Sequence, residues 1–437
     1  MIRFIFPHAR VACLGICAFV IAVATPSVTW AQEVARPRTF AEPTGDLTLA
    51  RCVEAALTRN PDLIASRFEL SVADARITQA SVRPNPELSV ELENFAGSGA
   101  AKGARILEST LSLSQVIELG DKRSYRTEVA TADRELAGIE RQARQLDVLA
   151  EVTQRFIAVV SAQDRLKLAT STKELAQRTF DAIDGRVRAA RSPEAERSRA
   201  RIALTRASIE EHQMQSELLG ARQSLSAMWG TLEPQFSQAR ADLMTLESIE
   251  PFDALVTRMA SSPDLVRFAS EARLRDAELR LARAQARPNL TFGLGVRRLS
   301  ESNDAALVAG FSMPLAVFDR NQGGIREAEA RRDQNTASRE AMFVRVRATV
   351  FALYQQLLSS RTRVETLGRD ALIQAQLALD QTQYGYERGR FSYLELSTAQ
   401  QELLELRAAL IDAAADYHRI LSEIERVTGE PVATDAS

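Results

Sequence analysis

The residues able to do chemistry are few and scattered. Beyond position 31 the 437-residue chain has two histidines, His212 and His418, and one cysteine, Cys52. Both histidines fall on long helical stretches, where a lone histidine is ordinarily a solvated or packing residue. No Cys/His cluster with metal-ligand spacing is present, so no dedicated soft-metal site and no cofactor are expected. There is also no glycine-rich phosphate loop, no zinc-protease helix and no nucleophile elbow, so the chain reads as a non-enzyme. A single cysteine allows no intramolecular disulfide, and Cys52 lies on the apolar side of a helical segment as a small core residue.

Composition points to helices. Apolar residues make up 45% of the chain and aromatics only 6%, with 19 glycines and 14 prolines, which argues against an all-β sandwich and against disorder. Lys and Arg together number 55 against 57 Asp and Glu, so a net charge of −2 leaves no footprint for nucleic acid. Only Lys102, Lys122, Lys167 and Lys173 are lysine, a bias read as genomic base composition.

Residues 1–31 have the layout of a secretory signal. Arg3, His8 and Arg10 form a basic end, Val11 to Ala24 an apolar stretch, and Thr29-Trp30-Ala31 a cleavage site. The apolar stretch falls short of the roughly 20 residues of a spanning helix. Ile16 stands where a lipid-attachment motif wants a small residue before Cys17. After a linker (32–44), no apolar run is long enough for a transmembrane helix.

The remainder repeats itself. Arg83-Pro84-Asn85 recurs as Arg287-Pro288-Asn289, Asn60-Pro61-Asp62-Leu63 as Ser262-Pro263-Asp264-Leu265, and Trp229-Gly230 as Thr428-Gly429. The offsets, 204, 202 and 199, mark a duplicated unit, 45–240 and 241–430, with a short tail, 431–437. Each unit reads as two helices, two strands and two very long helices. The strands, Glu87–Asn94, Ser109–Ile117, Leu290–Val296 and Leu307–Met313, alternate apolar and polar residues.

Two soluble hairpins packed on helices would satisfy that alternation. So would outer-membrane strands. Four strands cannot close a barrel alone and open edges are not tolerated in lipid, so spanning strands require several chains; three chains give 12, an allowed even number.

The long helices have a coiled-coil seam. Leu396, Ala399, Leu403, Leu406, Leu410, Ala413, Tyr417, Ile420, Ile424 and Val427 alternate spacings of three and four. The first unit repeats this from Ala200 to Met228, with Glu211 a charged intrusion. Their partners, Asp121–Arg188 and Asn321–Arg388, contain no proline and are expected as unbroken helices of roughly 100 Å. The turns are short: Ala189-Ala190-Arg191-Ser192-Pro193, and Gly389-Arg390-Phe391-Ser392. Gly389 suits the left-handed helix end, and Ser192 and Ser392 are read as N-caps of the returning helices.

Together these features resemble the TolC-like outer membrane efflux protein family, in particular its CzcC-like branch found with cobalt-zinc-cadmium exporters. The resemblance rests on the paired Arg-Pro-Asn before a strand, on Ile117-Glu118-Leu119-Gly120-Asp121-Lys122-Arg123 and its counterpart Pro314-Leu315-Ala316-Val317-Phe318-Asp319-Arg320, and on Tyr386-Glu387-Arg388-Gly389 at the tip. It implies a mainly α, internally duplicated chain with a small β part. Three chains would form a homotrimeric α-helical tunnel continuous with a shared 12-stranded β-barrel in outer membrane lipid, four strands per chain. The tips would face a periplasmic adaptor and an inner-membrane RND-type pump, and the cargo would be heavy-metal cations.

By the same resemblance Tyr386 is the tip tyrosine, Glu196 the acid it reaches, and Glu395 the first acid of a ring narrowing the mouth. The second ring position holds Thr398, and the neighbouring arginine position holds Phe391, with Arg388 and Arg390 nearby. Adaptor contacts fall on Ala190, Arg191, Ser192, Pro193, Gly389, Arg390, Phe391 and Ser392. Three Glu395 side chains would form a cation-attracting ring, as charged rings do in other pores; alone, Glu395 is equally a solvated helix acid. Drug efflux and type I secretion remain competing cargoes. A soluble periplasmic coiled-coil scaffold is the reading from another class, and it leaves the four strands without a purpose.

Overall fold

The computed structural model describes residues 42–99 and 102–429. The leader with Cys13 and Cys17, most of the linker and the tail lie outside the described residues. Among the described residues, six strands and nine α-helices follow one another in two similar units.

In the first unit, β1 (Gly45–Leu47) precedes α1 (Leu49–Arg59) and α2 (Pro61–Ser81). Asn60 starts α2: its side chain accepts from the Asp62 and Leu63 amides at 3.0 and 3.1 Å, and Pro61 occupies the first turn, where no donor is needed. β2 (Glu87–Glu93) and β3 (Glu108–Ile117) form a hairpin leading to α3 (Lys122–Arg188) and α4 (Glu194–Ser226), then β4 (Phe236–Ala239). The second unit runs α5 (Phe252–Met259), α6 (Pro263–Gln285), β5 (Leu290–Leu299), β6 (Asp304–Ser312), α7 (Gln322–Thr366), α8 (Leu372–Glu387) and α9 (Tyr393–Thr428).

Two elements escape the sequence pattern. β1 and β4 pair in parallel as a small second sheet, so the described residues hold six strands where four were expected. β4 is a four-residue Phe-Ser-Gln-Ala, too short to show alternation, and it is fixed by tertiary contacts: Gln163 of α3 donates to the Ala239 carbonyl and accepts from its amide, each at 2.8 Å.

The second element is a break in the helix expected over Asn321–Arg388. A π-turn at Leu367–Ala371 separates α7 from α8, whereas α3 runs unbroken for 67 residues, about 100 Å. The cause is an extra residue. The buried seam of α7 steps by four from Val346 to Val350 and then by seven to Leu357 and Val364, but the next buried-side position is Leu372 rather than residue 371. A π-turn absorbs one residue and returns the downstream Ala375, Leu379 and Tyr386 to the seam.

The helices pack as four columns. On the strand side the order is α2, α3, α6, α7; on the tip side it is α4, α3, α9, then α7 and α8. α4 stacks end-on against α2, where Asn60 Nδ2 donates to the Met228 carbonyl at 3.0 Å. α9 stacks against α6, where Gly429, at φ +79°, abuts Pro263. The repeated Asn-Pro, Ser-Pro and Gly landmarks are therefore the two column joints.

Core residues line the column interfaces. Leu357, Tyr417 and Ile424 have no exposed surface, each large aliphatic contributing roughly 1.5–3 kcal/mol. Glu211, the intruder in the α4 seam, is buried and paired with Lys173 of α3 at 2.6 Å, which satisfies its charge and lowers its pKa.

The main sheet is antiparallel, in the order β2-β3-β5-β6. One face presents Leu88, Leu113 and Leu294 in one row and Val90, Leu111, Val296 and Leu307 in the next. This face is open: Leu88 is 68% exposed and Leu307 89%. The other face carries Ser89, Ser112 and Gly295 in one row and Glu91, Thr110 and Arg297 in the next. β2 and β6 are edges with unpaired backbone.

Candidate functional site at the helix tips

The two tips are built alike. α3 passes through Ala189 to Ala190 in the left-handed region (φ +57°), and the Arg191 amide donates back to the Arg186 carbonyl at 2.8 Å. In the second tip Gly389 takes φ +73° and the Arg390 amide donates to the Gly385 carbonyl at 2.8 Å. This is one helix-ending motif used twice, 199 residues apart. Glycine takes that conformation freely; Ala190 takes it at a cost of about 1–2 kcal/mol.

The returning helices differ. Ser392 caps α9 in a capping box: its Oγ accepts from the Glu395 amide at 3.4 Å, and Glu395 Oε2 accepts from the Ser392 amide at 2.7 Å and its hydroxyl at 2.8 Å. These bonds to Ser392 lower the Glu395 pKa. In the first tip the N-cap is Pro193, with no side-chain cap bond, so the expected capping role of Ser192 is corrected. Proline supplies the extended entry to the helix instead; α4 places Glu194 and Glu196 in its first turn, against the positive end of the dipole.

The tips meet around Tyr386. It is 8% exposed and packs with Phe180, Ile183, Leu396 and Tyr393. The Arg186 guanidinium lies 4.7 Å from the Tyr386 ring centre, so the first hairpin reaches over the second. Burial pushes the Tyr386 phenol up; Arg186 opposes the rise and Glu196 adds to it, with Ser192 beside the group. Tyr386 Oη and Glu196 Oε2 are both buried without a hydrogen-bond partner. The expected pair therefore shares one pocket without being bonded.

Tyr393, which sequence reading passed over, is 3% exposed in the same cluster, and burial raises its phenol too. Its only sequence signal is an aromatic directly after the Ser392 cap. Asp184, also unmarked by motif, holds the first tip: it pairs with Arg188 at 2.7 Å and with Arg197 of α4 at 2.8 Å.

The other expected tip residues lie outside this cluster. Thr398 Oγ1 donates to the Leu394 carbonyl at 2.9 Å, Arg388 stacks 3.9 Å over the Tyr384 ring, and Arg390 is exposed. The Phe391 ring covers Gly385, where an added Cβ would stand 2.1 Å from Phe391 Cδ2. Further up, Arg165 of α3 pairs with Asp412 of α9, and Arg426 of α9 with Asp147 of α3 at 3.1 Å. The hairpins of the two units are thus tied at mid-length by ion pairs and at the tip by packing.

Among the described residues no group of three or more His, Cys, Asp or Glu is placed to bind an ion. His418 Nε2 is hydrogen-bonded to the distant Leu243 carbonyl at 3.1 Å, and His212 Nδ1 to the Ser208 carbonyl one turn earlier on its own helix at 2.7 Å. Cys52 is fully buried, and burial pushes its thiol up to about 12. No described helix is long and apolar enough to cross a membrane.

Against this geometry, the sequence matches the outer membrane efflux protein family over residues 52–231 and 255–430. The chain belongs to the outer membrane efflux protein family. It is 33% identical to the cobalt-zinc-cadmium resistance protein CzcC of Cupriavidus metallidurans, over 89% of this chain and 91% of that one. It is 27% identical to the nickel and cobalt resistance protein CnrC of the same organism, over 64% of this chain and 66% of that one. A solved structure of CusC, 19% identical, superposes with a TM-score of 0.73 over 90% of this chain and 96% of that one. The fold is that of the TolC-family channels. This efflux protein is an outer membrane channel, not an enzyme, and the exposed apolar face of its four-stranded sheet is the surface suited to lipid.

Proposed function

We propose that three copies assemble into one duct that passes heavy-metal cations out of the cell, each chain contributing its two repeats, 45–240 and 241–430. The observation that carries this reading is the sheet itself. Its apolar face is bare and both its edges are open, a state lipid does not tolerate. β6 of one chain and β2 of the next run in opposite directions, so three sheets close a 12-stranded antiparallel barrel.

The helices support the same assembly. The outer columns carry exposed apolar stripes: Ile64, Phe68, Val72, Ile202 and Ile209 on α2 and α4, and Val344, Phe351, Leu358, Ile373 and Leu377 on α7 and α8. Val344, Phe351 and Leu358 keep seven-residue steps, and Ile373 follows after two such steps plus one extra residue at the π-turn. Such stripes are seams awaiting a neighbour.

In this duct the tips form the gate. Glu395 of three chains forms the cation-attracting ring, with Thr398 in the second ring position. Tyr386, with Glu196 and Arg186, latches the second hairpin to the first, and Arg388 and Arg390 border the aperture. The unbonded Tyr386 hydroxyl and Glu196 carboxylate are groups that a hairpin movement can pair. The turns at Ala190–Pro193 and Gly389–Ser392 dock a periplasmic adaptor, which connects to an inner-membrane RND-type pump. The metal cargo rests on the resistance functions named for CzcC and CnrC.

The test is direct. The protein should migrate as a heat-modifiable trimer from outer membranes, and its loss should sensitise cells to cobalt, zinc or cadmium while leaving drug tolerance unchanged. Recovery as a soluble monomer would exclude the duct; sensitivity to drugs alone would exclude the metal cargo.

A further inference from the structure

One side chain on the inner face of the sheet has no role in lining the duct passively. Strand parity places Glu87, Glu91, Glu93, Glu108, Asp304 and Arg297 on the face opposite the apolar one. Arg297 is the single base among the described strand residues of that face. It sits close to the loop end, the end away from the helices. Toward the helices the same face carries Ser89, Ser112, Gly295 and Val308 in one row and Glu87, Ser114, Gly293 and Gly310 in the next, mostly small residues with Glu87 the one acid.

Glu93 and Glu108 stand directly opposite each other on β2 and β3, a like-charge placement that destabilises a sheet when nothing intervenes. Arg297 intervenes. Its Nη1 lies 2.9 Å from Glu108 Oε2, its Nη2 3.3 Å from Glu93 Oε2, and its Nε donates to Thr110 Oγ1 at 3.0 Å. The guanidinium thus fills the space between two carboxylates that a divalent cation would otherwise take: it hydrogen-bonds Glu108 and neutralises Glu93 as an ion pair, leaving Glu93 Oε2 without a hydrogen bond. A purely structural cross-strand pair needs one acid for one base. Here the mouth holds two further carboxylates, Glu91 in the Arg297 row and Asp304 in the row of Glu93 and Glu108.

We propose that Arg297 is a specificity-determining residue of the outward mouth: it stands in for a cation between Glu93 and Glu108, so that exported cations are drawn through an acidic mouth without being held there. The inference rests on the trimeric channel reading above. An exit duct must release its cargo; paired carboxylates without the arginine would retain it.

The test is sided block of the whole trimer in planar bilayers, with zinc ion added on the loop side, where the mouth is reached before the helix tips. In R297Q, the zinc concentration giving half block should fall about tenfold relative to the unaltered channel, as expected when one strong charged contact is exchanged for an ion. R297K, which keeps the charge, should stay near the unaltered value. The triple variant R297Q/E93Q/E108Q, which removes the carboxylate pair, should lose the added sensitivity. Unchanged block in R297Q, or persistent sensitivity in the triple variant, overturns the role of Arg297 while leaving the channel intact. Should R297Q not assemble, E93Q/E108Q decides: cation-over-anion permeability must fall, and an unchanged ratio overturns the proposal. Absence of any trimer or conductance in the unaltered protein would instead overturn the channel reading itself.

Discussion

Glu395 has two calls on one carboxylate. Its Oε2 is committed to Ser392 in the capping box, while the ring role needs the charge to face the pore. Because the Ser392 bonds lower its pKa from the ordinary 4.5, its contribution to the tip is fully present above that value and is lost as pH falls through the lower folded value. Hydrogen exchange at residues 393–396 should therefore quicken only below about pH 4.5. Glu395→Gln keeps part of the cap and removes the charge, so divalent-ion block of the pore should weaken with the tip intact; unchanged block would remove Glu395 from the ring. Ser392→Ala should cost about 1 kcal/mol in thermal or denaturant unfolding of the tip.

Gly385 gives a second test at this scale. Glycine to alanine inside a helix ordinarily stabilises by up to about 1 kcal/mol. Here the added Cβ would fall 2.1 Å from Phe391 Cδ2, so the ring must leave. Gly385→Ala should expose the 386–392 turn to protease and impair efflux; a more protease-resistant tip would refute the packing. The cap at Ser392 was legible; its partner Glu395 was read as a ring acid, and the structure joins the two in one capping box. Tyr393 and Asp184 were not legible, because an aromatic at a helix start and an acid on a helix face carry no pattern until their partners on another hairpin are known.

Among the elements, the π-turn at Leu367–Ala371 is a phase correction. The sequence contains its cause, a step of eight between Val364 and Leu372 where seven is the rule. Deleting Gly368, whose added Cβ would meet nothing, should convert the turn to regular helix and leave both stripes aligned. The deletion variant should form trimers, as the proposed assembly requires of the unaltered protein. Deleting Ser171 from the unbroken α3 should abolish them, since every seam residue beyond it would rotate by about 100°. Equal behaviour of the two in heat-modified migration would refute the phase argument.

For the whole molecule, the bare stripes on α7 and α8 predict that Phe351→Arg yields monomers, read by the same migration assay. Gly389→Trp places a bulky side chain in a left-handed turn at the docking end. It should abolish metal resistance while trimers still reach the outer membrane, and normal resistance would sink the adaptor assignment.

The chain's own periodicities determined the duplication, the four strands of the main sheet, the long hairpins and the positions of their turns, because each of these is written in local spacing: two for strands, three and four for seams, glycine or proline for stops. Tertiary structure alone decided the rest. β1 and β4 exist because α3 offers Gln163 to Ala239, the Asn-Pro and Ser-Pro landmarks matter because stacked columns join there, and Arg297 matters because strand register sets it between Glu93 and Glu108. Contacts between residues distant in sequence leave no period to read, so only the folded chain reveals them.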